Sequence, residues 1–465
     1  MRLDLTPLGG FAGELLTPYD PAYEGARVLF NTRVRTRPAL IARCADAQDV
    51  AAAIRYAREQ HLPIAVRGGG HHASGLSLVE GGVVVDVHGL GQIDFDPDER
   101  TVTAGPGVGW RELDRVTYAN HGFEQDGIQY GLAGPGGECP TVSNAGYTLG
   151  GGYGPLGRTF GLGLDHLIEV EMVNADGETL VANEQQHADL FWALRGAGGA
   201  GFGVVTSLKY RLNPLPKTVF GGWAAWPISR AKEVFAAYRD MYAGRTDERL
   251  ALCLLLSTEP YPEGEPVVAL YGLYVGEVTE GAAAVEQAIG GLGEPSFGGF
   301  GETGYLDLMT GMGEEIVYGL QSKWLGGYFT EQGFDEAAFD VLIEGFRRAP
   351  SGFSMVRFDL LAGGAIARVP ADATAFVHRD SLHYVSAIAQ WQGDEETDAN
   401  VAWIDDFHEA LRPHLNGEVY QNYADRDLQD WPAAYYGANY PRLQRVKAAY
   451  DPQDVFHHPQ SIRLP

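Results

Sequence analysis

Cysteine is scarce in this chain: Cys44, Cys139 and Cys253 are the only three in 465 residues. Three scattered thiols cannot supply the disulfide framework that holds small loop-rich domains together. Positive charge is scarce as well, 34 Lys and Arg against 61 Asp and Glu, for a formal net charge of −27. So acidic a chain argues against a nucleic-acid or membrane partner and favours a neutral or cationic small molecule. No apolar run is long enough to span a bilayer. The leading Met1-Arg2-Leu3-Asp4 brings an early acid and no apolar signal core. The expectation is a cytoplasmic protein, monomeric or a small homo-oligomer. Two nucleotide signatures are missing too. No G-x-G-x-x-G follows a first strand and no G-x-x-x-x-G-K-[ST] occurs, which sets aside the Rossmann and P-loop solutions.

Glycine, in contrast, is plentiful at 62 residues, and it gathers in motifs. One stretch, Gly137 to Gly154, reads G-E-C-P-T-V-S-N-A-G-Y-T-L-G-G-G-Y-G. Its glycines, Gly146, Gly150, Gly151, Gly152 and Gly154, suit close backbone approach or positive φ. Taken alone, Cys139 at its head reads as a buried, inert thiol. A second stretch, Arg67-Gly68-Gly69-Gly70-His71-His72, follows the apolar run Leu62–Val66, as a glycine turn follows a buried strand. Such a turn can cradle phosphate, although many strand ends carry one. His71, His72 and Cys139 show no zinc-binding spacing, which sets a metal centre aside.

With 45% hydrophobic residues the chain can bury a large core, and its length suits two domains. A helix capped by Asp46 with Val50, Ile54 and Ala57 on one face, then strands at Leu62–Val66 and Gly82–Val87, form an α/β unit. Thr101–Ala104, a helix from Trp110 to Asn120, Ile168–Val173, a helical turn at Asp189–Arg195 and Gly203–Leu208 continue it. Asn213-Pro214-Leu215-Pro216 reads as a linker, because two prolines in four residues break regular structure. Beyond it, strands at Leu250–Ser257, Val267–Val275, Phe353–Leu360 and His383–Trp391 alternate with helices at Ile228–Ala243, Gly281–Leu292, Asp335–Arg347 and Asp398–His414. This pattern predicts an antiparallel sheet with helices on one face. Gly417–Tyr423 reads as a short alternating strand.

The two glycine stretches, with D-L-F-W-A-L-R-G at Asp189–Gly196, G-F-G-V-V-T at Gly201–Thr206, Y-Q-N-Y at Tyr420–Tyr423 and Y-D-P-Q-D-V-F at Tyr450–Phe456, resemble the berberine-bridge-enzyme-like flavin oxidases of the vanillyl-alcohol-oxidase type. The resemblance runs through nearly the whole chain. It implies an α+β, two-domain fold: a discontinuous FAD-binding domain at 1–211, an antiparallel-sheet substrate domain at 217–415, and a return segment at 416–465 to the FAD domain.

What the resemblance implies for the site follows from those motifs. FAD would be held twice, by His71 at its 8α-methyl and by Cys139 at C6, with His72 the alternative for the first bond. Arg67, Gly68, Gly69, Gly70, Val142, Gly146, Tyr147, Gly151, Gly152, Val204 and Asn422 would surround it. Tyr420, first of the Y-x-N-Y pattern, would be the base and Tyr153 its partner, although a free phenol titrates near pKa ~10 and needs help to accept a proton near neutrality. Tyr147 stands where relatives often carry a histidine. Tyr384 and Gln390, on one face of the last strand with Ser386, are candidates for substrate contact. No acid stands out as a base. The implied reaction oxidises a small-molecule alcohol, either a sugar or oligosaccharide hemiacetal or a secondary alcohol on a natural product. Hydride passes to the flavin, and O2 is the acceptor because Val142 is small. The alternatives are a dehydrogenase or oxidative cyclase with another acceptor and, more distantly, a non-catalytic flavin-binding protein.

Overall fold

The computed structural model describes residues 3–243, 247–314, 316–359, 363–381 and 383–465. Asp46 caps the helix Ala47–Glu59, its carboxylate accepting from the N–H groups of Gln48 and Asp49 at 2.8 and 2.9 Å. Val50, Ile54 and Ala57 go under, as their spacing requires. They pack on a small sheet in which Val83–Asp86 lies between Leu40–Arg43 and Ile64–Arg67, parallel to both, with Glu14–Leu16 at the edge. A second sheet is antiparallel throughout, in the order Thr179–Asn183, Leu167–Val173, Val204–Arg211, Thr101–Ala104, Ile93–Asp96.

Asn213–Pro216 is not a linker. It forms an edge strand against Ile128–Ala133, with Phe123–Gln125 on the far side. A proline is tolerated at an edge because its missing N–H leaves no gap in a ladder on the open side.

The large sheet has seven antiparallel strands: Phe297–Gly304, Thr218–Pro227, Glu265–Tyr274, Leu250–Glu259, Met355–Asp359, Tyr384–Trp391 and Gln321–Tyr328, in that order. The expected Leu360 lies outside the described residues. Three strands escaped the sequence reading, most plainly Phe297–Gly304. Its four glycines argue against a strand, yet pairing along Thr218–Pro227 supplies the order its composition lacks. Alternation divides the sheet cleanly. Leu252, Leu254, Leu256, Val356, Phe358 and Ala387 face the helices Ala231–Ala243, Glu336–Phe346 and Thr397–Leu411 in one apolar core. Leu255, Ser257, Met355, Arg357, Ile388 and Gln390 face the other way, toward the rest of the molecule.

The last segment turns back. Val419, Ala424, Trp431, Leu443 and Ile462 share a core with Val102, Trp110, Leu190 and Leu208. Gly417–Tyr423 is not a strand: a single 3-10 turn occupies Gln421–Tyr423. That difference matters, because a 3-10 turn returns residue i+3 to the same side, whereas a strand would send Tyr420 and Tyr423 to opposite faces.

Candidate active site

The face of the large sheet turned away from the helices Ala231–Ala243, Glu336–Phe346 and Thr397–Leu411 closes over a cavity of about 1470 Å³, and the helix Tyr305–Glu314 lies on this side as well. That is more room than a single drug-sized ligand needs, and it suits a large cofactor with a substrate beside it. Gly68, Gly69, Gly70, His71, His72, Cys139, Val142, Gly146, Tyr147, Tyr153, Tyr420 and Asn422 all line it. Four of the residues expected there, Arg67, Val204, Gly151 and Gly152, do not. Arg67 turns its guanidinium to the carbonyls of Ala26 and Val28, bracing a loop. Val204 is fully buried in the front core opposite Val173; alternation along its strand gives the cavity Val205 instead. Gly151 and Gly152 serve the cavity indirectly. A Cβ on Gly151, at φ +153°, would stand 2.7 Å from the Tyr420 ring, and one on Gly152 would stand 2.7 Å from the Tyr147 ring. Close packing of the two tyrosines requires both glycines.

His71 and Cys139 meet at a single hydroxyl. Thr141 Oγ1 is 2.8 Å from His71 Nε2 and 3.6 Å from Cys139 Sγ. Phe30 stacks on the His71 ring with centroids 4.6 Å apart. Burial pushes the His71 pKa down to about 4, so the imidazole is neutral and keeps a nucleophilic lone pair. His72 is likewise held down at about 4 by burial, and its buried Nδ1 has no partner. Ser77 Oγ and Gln421 Oε1, also on the cavity wall, are buried without partners. Gly146 adds open space: a Cβ there would meet nothing within 4 Å and would stand in the cavity. Unpartnered polar atoms around a glycine-lined hollow are groups that a large polar cofactor would satisfy. The donor set fits FAD.

A polar cluster that the sequence reading missed stands on the same cavity. Tyr153 donates to Asp359 Oδ1 at 2.6 Å, and Arg357 Nε reaches the same oxygen at 2.6 Å. Ser386 donates to Asp359 Oδ2 at 3.2 Å, and Arg357 also holds Glu138 at 3.1 Å. Tyr423 forms a short hydrogen bond with Tyr153; since the Tyr153 proton is committed to Asp359, Tyr423 is the donor. No acid stood out as a base from the sequence; in the fold Asp359, only 2% exposed, lies at the heart of this cluster. A signal was present in the strand Met355–Asp359. Arg357 and Asp359 are charges two apart in an otherwise apolar run, and so share a face.

Tyr420 is placed differently. Its oxygen accepts from Gly152 N–H at 3.0 Å and from Asn422 Nδ2 at 2.9 Å, and Asn422 also donates to the Tyr147 carbonyl. Burial drives its pKa up, and those two hydrogen bonds oppose the rise only in part. Tyr147 spends its hydroxyl on the carbonyls of Pro135 and Tyr153. Of the two candidates for substrate contact, Gln390 lines the cavity; Tyr384 is buried behind Tyr420 with ring centroids 6.2 Å apart.

Comparison with known proteins bears on the family. A family model for an FAD binding domain matches residues 38–183, and one for berberine and berberine-like proteins matches residues 419–463. The FAD-linked oxidoreductase YgaK of Bacillus subtilis is 32% identical, over 97% of this chain and 96% of its own length. The aclacinomycin-N/aclacinomycin-A oxidase of Streptomyces galilaeus is 29% identical over 94% of this chain and 87% of its own. The structure of BBE-like 1 from Physcomitrella patens superposes with a TM-score of 0.87 at 26% identity, covering 99% of this chain and 98% of that one. Two matched segments that the fold brings together around one cavity, and relatives alike from end to end, place the chain in a family: it belongs to the berberine-bridge-enzyme-like FAD-linked oxidoreductases, and it is an FAD-dependent enzyme.

Proposed function

We propose that the protein is an oxidase of alcohols with doubly attached FAD, taking a sugar or oligosaccharide hemiacetal or a secondary alcohol on a natural-product scaffold. The observation that carries this reading is that one cavity wall holds both sets of groups: His71 and Cys139 converge on one hydroxyl, and a tyrosine pair backed by a carboxylate is tied through Arg357 to Glu138, the neighbour of Cys139. His71 and Cys139 would hold FAD, which would supply a hydride acceptor whose electrons could go on to O2 to give hydrogen peroxide.

The protein's own part is to remove the hydroxyl proton. A base needs an open lone pair and a place to send charge. Tyr420 has both lone pairs engaged by Gly152 and Asn422, so the geometry favours moving the role expected of Tyr420 to Tyr423. Burial raises the pKa of Tyr423 and of Tyr153, so neither rests as a phenolate. A relay avoids that cost. The substrate proton passes to Tyr423, the Tyr423 proton to Tyr153, and the Tyr153 proton to Asp359, where the carboxylate takes it. Tyr153 keeps the partner role expected of it. Tyr420 pins the Gly152 turn and Asn422 in place, and Gln390 and Trp324 line the same cavity.

An anaerobic screen of sugars and secondary alcohols tests the reading, with bleaching of the flavin absorbance as the signal. Bleaching by at least one alcohol, followed by rapid recovery in air, is the expected result. If alcohols bleach the flavin but air restores it no faster than free reduced flavin, the enzyme is a dehydrogenase. No bleaching by any alcohol removes the alcohol-oxidising assignment.

A further inference from the structure

The Thr141 hydroxyl has no part in the chemistry described so far, yet it touches both candidate attachment residues. It lies 2.8 Å from His71 Nε2, 3.6 Å from Cys139 Sγ and 3.0 Å from the Tyr318 hydroxyl. An imidazole that makes a hydrogen bond at one nitrogen has its tautomer set by that bond. If Nε2 carries the hydrogen and gives it to Thr141, the lone pair sits on Nδ1. The Thr141 hydrogen is then free for Cys139 or Tyr318. Phe30, stacked on the ring at 26° between planes, fixes the direction in which that lone pair points.

We infer that Thr141 is the positioning residue for cofactor attachment at His71: by accepting the Nε2–H it presents Nδ1, and not Nε2, to the 8α-methyl carbon of FAD. This rests on the reading of His71 as an attachment site. The step balances as follows. One C–N bond forms between Nδ1 and the methyl carbon, and one methyl C–H bond and the Nε2–H bond break; the methyl proton goes to solvent and the Nε2 proton is relayed through the Thr141 hydroxyl to the exposed Tyr318 hydroxyl and solvent. The two electrons released are taken by O2, which with two protons leaves as hydrogen peroxide. Burial supports the scheme, because an imidazole whose pKa is pushed down to about 4 is neutral and nucleophilic at pH 7. Thr141 is itself exposed, so its replacement leaves the core intact.

The experiment compares the unmutated protein with Thr141→Val, which keeps the β-branched shape and deletes the hydroxyl, and with Thr141→Ser, which keeps the hydroxyl. Protein is sampled at intervals after a pulse of synthesis and digested, and flavin is quantified separately on the His71 and Cys139 peptides by mass spectrometry. The Val variant is expected to load His71 about tenfold more slowly relative to Cys139, the size of effect one lost orienting hydrogen bond gives. The Ser variant is expected to restore the rate. Nitrogen-labelled histidine in the isolated flavin peptide is expected to show the bond at Nδ1. Equal loading of His71 in the Val variant, equal slowing at both peptides, or a bond at Nε2 would each overturn the role given to Thr141. Absence of flavin from His71 in the unmutated protein is a different outcome: it removes the attachment reading itself, and this inference with it.

Discussion

At the scale of single residues, the competing tyrosines separate by one atom's worth of chemistry. Tyr423→Phe keeps the ring and its edge contact with Trp324, 5.0 Å between centroids, and deletes the oxygen that feeds the relay. Anaerobic flavin reduction by substrate is expected to slow by ~10²–10⁴-fold, the usual worth of a positioned base. Tyr420→Phe removes a hydroxyl that holds Gly152 and Asn422, and is expected to cost less in reduction rate. A stopped-flow measurement in which Tyr420→Phe is the slower variant would return the base to Tyr420. Val142 makes a second test. It lines the cavity directly after the Thr141 hydroxyl, and a packed wall has no slack for another methylene. Val142→Leu is expected to slow reoxidation by O2 while leaving reduction by substrate largely intact; stopped-flow mixing with oxygenated buffer reads the two rates separately.

At the scale of elements, the glycine cluster that ends the helix Asn144–Gly150 is a packing device for the C-terminal turn. A Cβ on Gly150 would stand 2.0 Å from Asn422 Oδ1, and one on Gly151 would meet the Tyr420 ring at a φ that disfavours any side chain. Gly151→Ala therefore combines overpacking with backbone strain and is expected to cost ~1–3 kcal/mol or more. Thermal denaturation should show a lower midpoint, and flavin reduction should slow as Tyr420 and Asn422 are pushed out of place. An unchanged melting curve would contradict the close approach. The motif was visible in the sequence. Its partner was not, because Gly151 and Tyr420 are far apart in the chain and only the return of the last segment brings them together.

At the scale of the whole molecule, acid sensitivity follows from histidines buried as neutral groups. Burial holds the pKa values of His72, His383 and His458 down at about 4, against 6.5 for an unperturbed imidazole. Between those values the unfolded chain binds more protons than the folded one, so stability rises with pH across that window. The contribution is complete above pH ~6.5 and is lost as pH falls toward ~4. Melting midpoints recorded at pH 7.5, 6 and 4.5 are expected to fall in that order; a flat series would show that these imidazoles are not held neutral. By itself the sequence determined the front α/β unit, the antiparallel sheet with helices on one face, and the two glycine motifs with His71 and Cys139. Local periodicity, a cap and turn chemistry suffice for these, and the family motifs name the cofactor. Only the tertiary structure decided that Asn213–Pro216 is an edge strand and that Val204 packs into the core. It also decided that Asp359, Arg357 and Glu138 stand beside the tyrosines. Each of those depends on which strand lies next to which and on which face a strand turns inward, and pairing across hundreds of residues leaves no periodicity in the chain to read.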